Sequence, residues 1–331
     1  SVLVTAAQRG LPTAYTWNRI GAPFEVMVAL ANELNAHPWI CIPHLANDAF
    51  VTLCANIFRD GLEPGLICHV EYSNEVWNWQ FGQAQWAEAT GNARWNATGT
   101  WVQFYALRAM QIADIFTASF GAQASTRLCR IIATQTGWLD LSDQILNAPR
   151  VVAEGRPAPH TRFDAYAITG YFSGLLGNDT KGALVRQWIA SSLTAAENAA
   201  DGLGLTGQAR TDYIAANRYN QATATAIAEI RNGATTGQLG DSVSEWINTT
   251  LPYHVQEAAS HGLRLMMYEG GTHVVGYGAN VNDDVLTAFW HHLNYSAWMA
   301  DLYAEVMGAW GAVTAEPFNA FVDLTGPSRF G

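Results

Sequence analysis

The stretch Leu66-Ile67-Cys68-His69-Val70-Glu71-Tyr72-Ser73-Asn74-Glu75-Val76-Trp77-Asn78-Trp79 follows a Pro64-Gly65 turn and opens as a short apolar run. An apolar run of strand length bounded by turn residues predicts a parallel strand buried on both faces. It ends in a cluster of polar and aromatic side chains, and barrels and open α/β sheets build their sites at the C-terminal ends of strands. A second stretch of the same form lies far downstream, Arg264-Leu265-Met266-Met267-Tyr268-Glu269-Gly270-Gly271-Thr272-His273, again an apolar run that delivers a glutamate at its C-terminal end. Glu75 and Glu269 are the carboxylates this pattern pairs.

Working outward, other short apolar runs alternate with helical patterns. Residues 3–6 are read as a strand, and Pro23 suits the first turn of a helix reaching Leu34. Trp39–Pro43 is a strand ending at His44, and Asp48 is the expected cap of a helix from Ala49 to about Asp60. Helix is expected over 81–121, interrupted around 91–99. Strands follow at Leu128–Thr136, with Gly137-Trp138 at the end, and at Phe163–Thr169, ending in Gly170-Tyr171-Phe172. A helical span over about 180–262, broken near 201–207 and 232–240, exceeds one crossover helix and reads as an insertion. One or two helices over 285–312 and a short strand over 320–324 complete the chain. Strand–helix alternation implies βαβ units and a parallel sheet, and no linker divides the 331 residues, so a single domain over 1–331 is expected.

Composition narrows the partners. The net charge is -11, which argues against nucleic acid and anionic membranes as partners. The 13 Trp, 13 Phe and 12 Tyr supply aromatic faces suited to flat neutral ligands such as sugars. Cys41, Cys54, Cys68 and Cys129 have no C-x-x-C spacing, so zinc-ribbon and redox-motif readings fail. Free thiols are expected, or one bridged pair in a secreted protein. His291-His292 are adjacent, whereas two ligands on one helix face need a spacing of three or four. No metal or other cofactor is expected. No apolar run is long enough to span a bilayer.

Two further strands separate the one leading to Glu75 from the one leading to Glu269. In a flat sheet three strand spacings amount to roughly 14 Å, too far for both carboxylates to grip one bond. In a closed eight-stranded barrel the two strands face each other obliquely across the mouth. Carboxyl groups about 5–5.5 Å apart suit retaining glycoside hydrolysis.

Ser73-Asn74-Glu75 and Tyr268-Glu269-Gly270, with Trp39-Ile40-Cys41-Ile42-Pro43-His44 and Glu71-Tyr72-Ser73-Asn74-Glu75-Val76-Trp77-Asn78, resemble clan A of the glycoside hydrolases, in a bacterial branch. The resemblance runs from about Gly21 to the C-terminus. It implies a (β/α)8 TIM barrel, incomplete at both ends here, with the helical insertion between its sixth and seventh strands. It implies that Glu75, on the fourth strand, is the acid/base and Glu269, on the seventh, the nucleophile, and that no cofactor is used. The expected substrate is a β-linked neutral polysaccharide or oligosaccharide, with endo attack favoured and a secreted or periplasmic location. Asn74 is then expected to hold the hydroxyl beside the reacting carbon, and Tyr171 to contact the nucleophile. His44 is expected to contact substrate and His273 to line the mouth, and Trp138 and Trp77 are candidates for stacking faces. Arg9 and Arg19 are candidates for the clan's arginine that supports the nucleophile. Of the rival carboxylates, Glu71 points deep into the barrel, Asp164 starts its strand on the wrong rim, and Glu245 lies in a helical region. The alternative reading is a carbohydrate-binding barrel without turnover.

Overall fold

The structure, a computed structural model, describes residues 3–321 together with 326, 328 and 329. It is an α/β protein with five parallel strands: β1 (Trp39–Ile42), β2 (Cys68–Tyr72), β3 (Leu128–Ala133), β4 (Ala165–Phe172) and β5 (Arg264–Thr272), in the spatial order β1-β2-β3-β4-β5. The chain forms two compact units, Ser1–Ile168 with Gln256–Met266 and Thr169–Val255 with Met267–Gly331.

In the first unit, α1 (Phe24–Leu34) and α2 (Asp48–Gly61) share an aromatic core: the Phe24 ring lies 6.2 Å from Phe50 and 5.8 Å from Phe58. The cap of α2 is Asn47, whose side chain accepts from Phe50 N (2.9 Å), and not Asp48, which occupies the first turn and pairs with Arg108. α3 (Gly82–Trp95) and α4 (Trp101–Phe120) follow β2, and short helices α5 (Ala124–Arg127), α6 (Leu141–Leu146) and α7 (Pro149–Ala153) flank β3. α4 covers one sheet face. Tyr72 stacks on Tyr105 at 5.9 Å, and the Tyr105 hydroxyl accepts from Ala133 N at 3.0 Å.

The registers place Cys41, Glu71, Ile131 and Ala165 side by side across β1 to β4. Side chains alternate along a strand, so this row and the Trp39–His69–Cys129 row lie on the face opposite Tyr72 and α4. That second face is polar. Trp39 Nε1 donates to the buried Glu71 carboxylate at 3.0 Å, Trp39 stacks on His69, and Arg264 of β5 reaches Cys129 Sγ of β3 at 3.0 Å.

The expected strand over residues 3–6 does not form. The Val4 and Thr5 N–H groups both donate to Gln8 Oε1 (2.9 Å each), and residues 6–8 make a 3-10 turn, so the donors a ladder would need are already engaged. β4 and β5 are longer than expected because they stay paired: His273 N donates to Phe172 O at 2.9 Å.

The helical span between β4 and β5 is α8 (Asp179–Gly202), α9 (Gly207–Asn217), α10 (Asn220–Asn232) and α11 (Val243–Glu245) of the second unit, then α12 (Leu251–Ser260), which ends in the first, with a π-helical turn joining the last two. Asn178 caps α8, and α10 stops at Gly233 in the left-handed conformation. α13 (Asp284–Asn294) and α14 (Ala297–Val313) follow β5, capped by Asp283 and Ser296. Of the strand expected over 320–324, Ala320 forms a parallel bridge with Gly270, and Phe321 N donates to Gly270 O at 2.9 Å. Positions 322–324 lie outside the described residues.

Candidate functional site

β2 stops at Tyr72, and Glu75 stands three residues beyond it instead of at the strand end. Ser73 N still donates to Ile42 O at 2.8 Å, after which the backbone leaves the sheet sharply. Ser73 (φ 62) and Glu75 (φ 45) are both left-handed. For residues with a Cβ this costs on the order of 1–3 kcal/mol each and clusters at functional sites. The turn is fastened from the far side: Asn78 N donates to Glu75 O (2.9 Å), and Asn78 Nδ2 to the Glu75 carboxylate (3.0 Å). Gln83 Nε2 donates to Asn74 O (2.7 Å), which leaves the Asn74 side chain exposed. Glu75 is half-buried.

Three more of the expected residues belong to this unit. His44 follows β1, its carbonyl accepts from the Tyr72 hydroxyl (3.0 Å), and its ring meets Trp86 edge-on at 5.7 Å. Burial holds its imidazole below the usual value. Trp77 is half-buried, and its Nε1 is buried with no hydrogen-bond partner. Trp138, in the turn after β3, is exposed, with its ring 6.1 Å from Trp101.

The second unit carries Glu269, Tyr171 and His273. Glu269 lies inside β5, which runs on to Thr272, so it too is not the strand end that the sequence suggested. It is half-buried. Tyr171 is the penultimate residue of β4, its ring 5.1 Å from His273 and 6.4 Å from Phe321. The His273 imidazole lies below its usual value because burial disfavours the cation. Tyr277 is 5.9 Å from His273, and burial, with Asp241 nearby, pushes its hydroxyl up to about 12. Asp241 accepts from the Ser173 hydroxyl through its carboxylate and from Ser173 N (3.0 Å) and Gly174 N (2.7 Å) through its carbonyl. Burial raises its carboxyl to about 6.

The rival carboxylates have structural partners. Asp164 receives Arg130 through N, Nε and Nη2 at 2.7–2.8 Å, Glu71 accepts from Trp39, and Glu245 accepts from Asp241 N at 2.6 Å. Arg9 is committed to Glu25 by a two-pronged pair at 2.7 and 2.6 Å; Arg19 is exposed. Asn78 stands in the Glu71–Asn78 motif without an expected role, and Trp79 and Trp101 are not singled out by the sequence. The i to i+3 spacing of Glu75 and Asn78 is a local turn signal, whereas only the fold brings Trp101 to Trp79. Among the described residues no three His, Cys, Asp or Glu side chains are grouped to hold a metal ion, and no helix is long and apolar enough to cross a membrane. No protein-family model, curated protein or solved structure matches the chain.

Proposed function

We propose that the chain is a retaining glycoside hydrolase that cleaves a β-linked neutral polysaccharide or oligosaccharide, with the five parallel strands belonging to a (β/α)8 barrel. The observation that carries the reading is the strand count. Asn74-Glu75 follows β2, Tyr268-Glu269-Gly270 lies on β5, and β3 and β4 stand between them in one parallel sheet. The second face, with the buried polar side chains of His69 and Glu71, supports closure into a barrel, and so does Arg264 spanning β4 to reach Cys129.

In double displacement the Glu269 carboxylate attacks the anomeric carbon while Glu75 gives its proton to the departing glycosidic oxygen. Glu75, now ionised, takes a proton from the water that attacks the glycosyl–enzyme ester, and Glu269 leaves as carboxylate. Asn78 orients the Glu75 carboxyl through its amide. The strained Ser73–Glu75 turn supports a site here, since backbone strain persists where the surroundings impose it.

Trapping with a panel of 2-fluoro sugars followed by peptide mapping tests the assignment, with the label expected on Glu269. Glu269→Gln should lower kcat by at least 10³-fold while retaining binding. A label on another carboxylate refutes the residue roles. Binding of β-glycans with no turnover by the wild type would replace the enzyme by a carbohydrate-binding barrel.

A further inference from the structure

The first unit displays a cluster of three tryptophan rings. Trp79 and Trp138 are 48% and 48% exposed. Trp101 joins them, its ring 5.3 Å from Trp79 at 55° and 6.1 Å from Trp138 at 45°. The rings come from the turn after β2, the first residue of α4 and the turn after β3, and each is held by its backbone. Glu88 accepts from the N–H groups of Gly99 (2.7 Å), Thr100 (2.7 Å) and Trp101 (3.0 Å), which fixes the start of α4. Gln85 Nε2 donates to Trp79 O at 3.3 Å, and Gln135 Oε1 accepts from Trp138 N. Rings placed in advance lose little freedom on binding.

The chemistry around the rings selects the ligand. Residues 76–87, which carry Trp79, contain no charged side chain in a molecule of net charge -11; their polar groups are the amides of Asn78, Gln80, Gln83 and Gln85. Its flanking charges, Glu75 and Glu88, are both acidic, and Glu88 is engaged by three backbone N–H groups, so an anionic ligand finds no counter-charge in this segment. A pyranose presents apolar C–H faces to the indoles and hydroxyl edges to the amides. Trp79 also directly follows Asn78, whose side chain holds the Glu75 carboxylate.

We propose that the Trp79–Trp101–Trp138 shelf binds consecutive sugars of a neutral glycan chain. On the reading of Glu75 as acid/base, these are the sugars on the leaving-group side, and cleavage falls within the chain.

Affinity electrophoresis through gels containing a β-glucan, a xylan, a mannan or a galactan tests this, using wild type, Trp79→Ala, Trp138→Ala and the double variant. At least one polymer should retard the wild type. Each single replacement should weaken that binding roughly 3- to 10-fold, and the double roughly 10- to 100-fold. Trp138→Phe, which keeps a ring, should stay within about 3-fold of wild type and guards against a folding defect in the alanine variants. Equal retardation of the wild type and a folded double variant overturns the shelf even if fluoro-sugars label Glu269. Loss of retardation in the variants, without labelling of any carboxylate, upholds the shelf and rejects the hydrolase. A wild-type dimer that the double variant turns into monomer overturns the proposal in favour of a second copy as occupant.

Discussion

Lys181→Met should be among the most damaging single changes in the second unit. Lys181 and Glu229 form an ion pair at 2.7 Å with side chains only 1% and 0% exposed. The ammonium also donates to Gly174 O at 2.9 Å, and the carboxylate accepts from Thr235 N (2.9 Å), Thr236 N (3.1 Å) and the Thr236 hydroxyl. Removing one member of a buried pair costs about 3–5 kcal/mol, because the other charge remains buried. Three donors still serve Glu229 in Lys181→Met, which places that variant near 3 kcal/mol. Glu229→Leu leaves the ammonium with the Gly174 carbonyl but without its carboxylate partner, and belongs near 5 kcal/mol. At about 2–4 °C per kcal/mol for a unit of this size, the first lowers Tm by about 6–12 °C.

The double variant should recover much of the loss, since apolar replacement of a whole buried pair is often neutral. The pH dependence has a definite sign. Burial alone would raise the Glu229 carboxyl, but the bonds from Lys181, Thr236 and the two N–H groups hold it below its usual value. Its contribution is therefore present above the ordinary glutamate value and is lost as pH falls through the folded value. Urea denaturation of the four proteins followed by circular dichroism closes the cycle. A Lys181→Met penalty under 1 kcal/mol, or a double variant as weak as the two singles summed, refutes the reasoning.

Three other outcomes are expected. Asp241, raised to about 6 chiefly by burial, favours the folded state while protonated, and that advantage fades as pH rises from about 4 to 6. Tm of Asp241→Asn should fall less than wild type over that interval, and parallel Tm curves would contradict the assignment. Native thiol titration should find one fast cysteine, the exposed Cys41, abolished by Cys41→Ser. Cys54, Cys68 and Cys129 are buried, and burial pushes the Cys54 thiol up to about 12; two or more fast thiols would contradict this. A Cβ at Gly177 would lie 1.6 Å from the backbone oxygen of Val275. Gly177→Ala should therefore cost about 3 kcal/mol or more, and a melt within 2 °C of wild type would show that the loop after β5 yields.

Much of the strand pattern around the candidate residues was legible because its signals are local. The stretches from Leu66 to Glu75 and from Arg264 to Tyr268 announce strands through an apolar run and the Pro64-Gly65 turn before the first, and counting such runs between Glu75 and Glu269 gives the two intervening strands that are found. Asp164, set aside because it begins its strand on the rim away from a barrel's site, precedes β4 and pairs with Arg130 at 2.7 Å. Strand ends were less legible. Glu75 left β2 early because two left-handed residues turn the chain, whereas Glu269 stayed inside β5 because the β4–β5 pairing extends to His273. Neither backbone conformation nor pairing length is written in hydropathy. Leu3–Ala6 misled for the opposite reason: its apolar residues fit a strand, but Gln8 captured the N–H groups.

Apart from residues 3–6, the apolar runs and helical patterns marked the main strands and helices, with Asn74, Glu75 and Glu269 as polar exceptions at or near strand ends. Those properties follow from side-chain periodicity and turn chemistry, which act over a few residues. Which distant side chains meet depends on packing. Trp79 and Trp101 stand 22 positions apart in the chain, and Lys181 and Glu229 stand 48 apart. Contacts of that kind exist only after helices and strands pack, because packing brings together residues that no local pattern links.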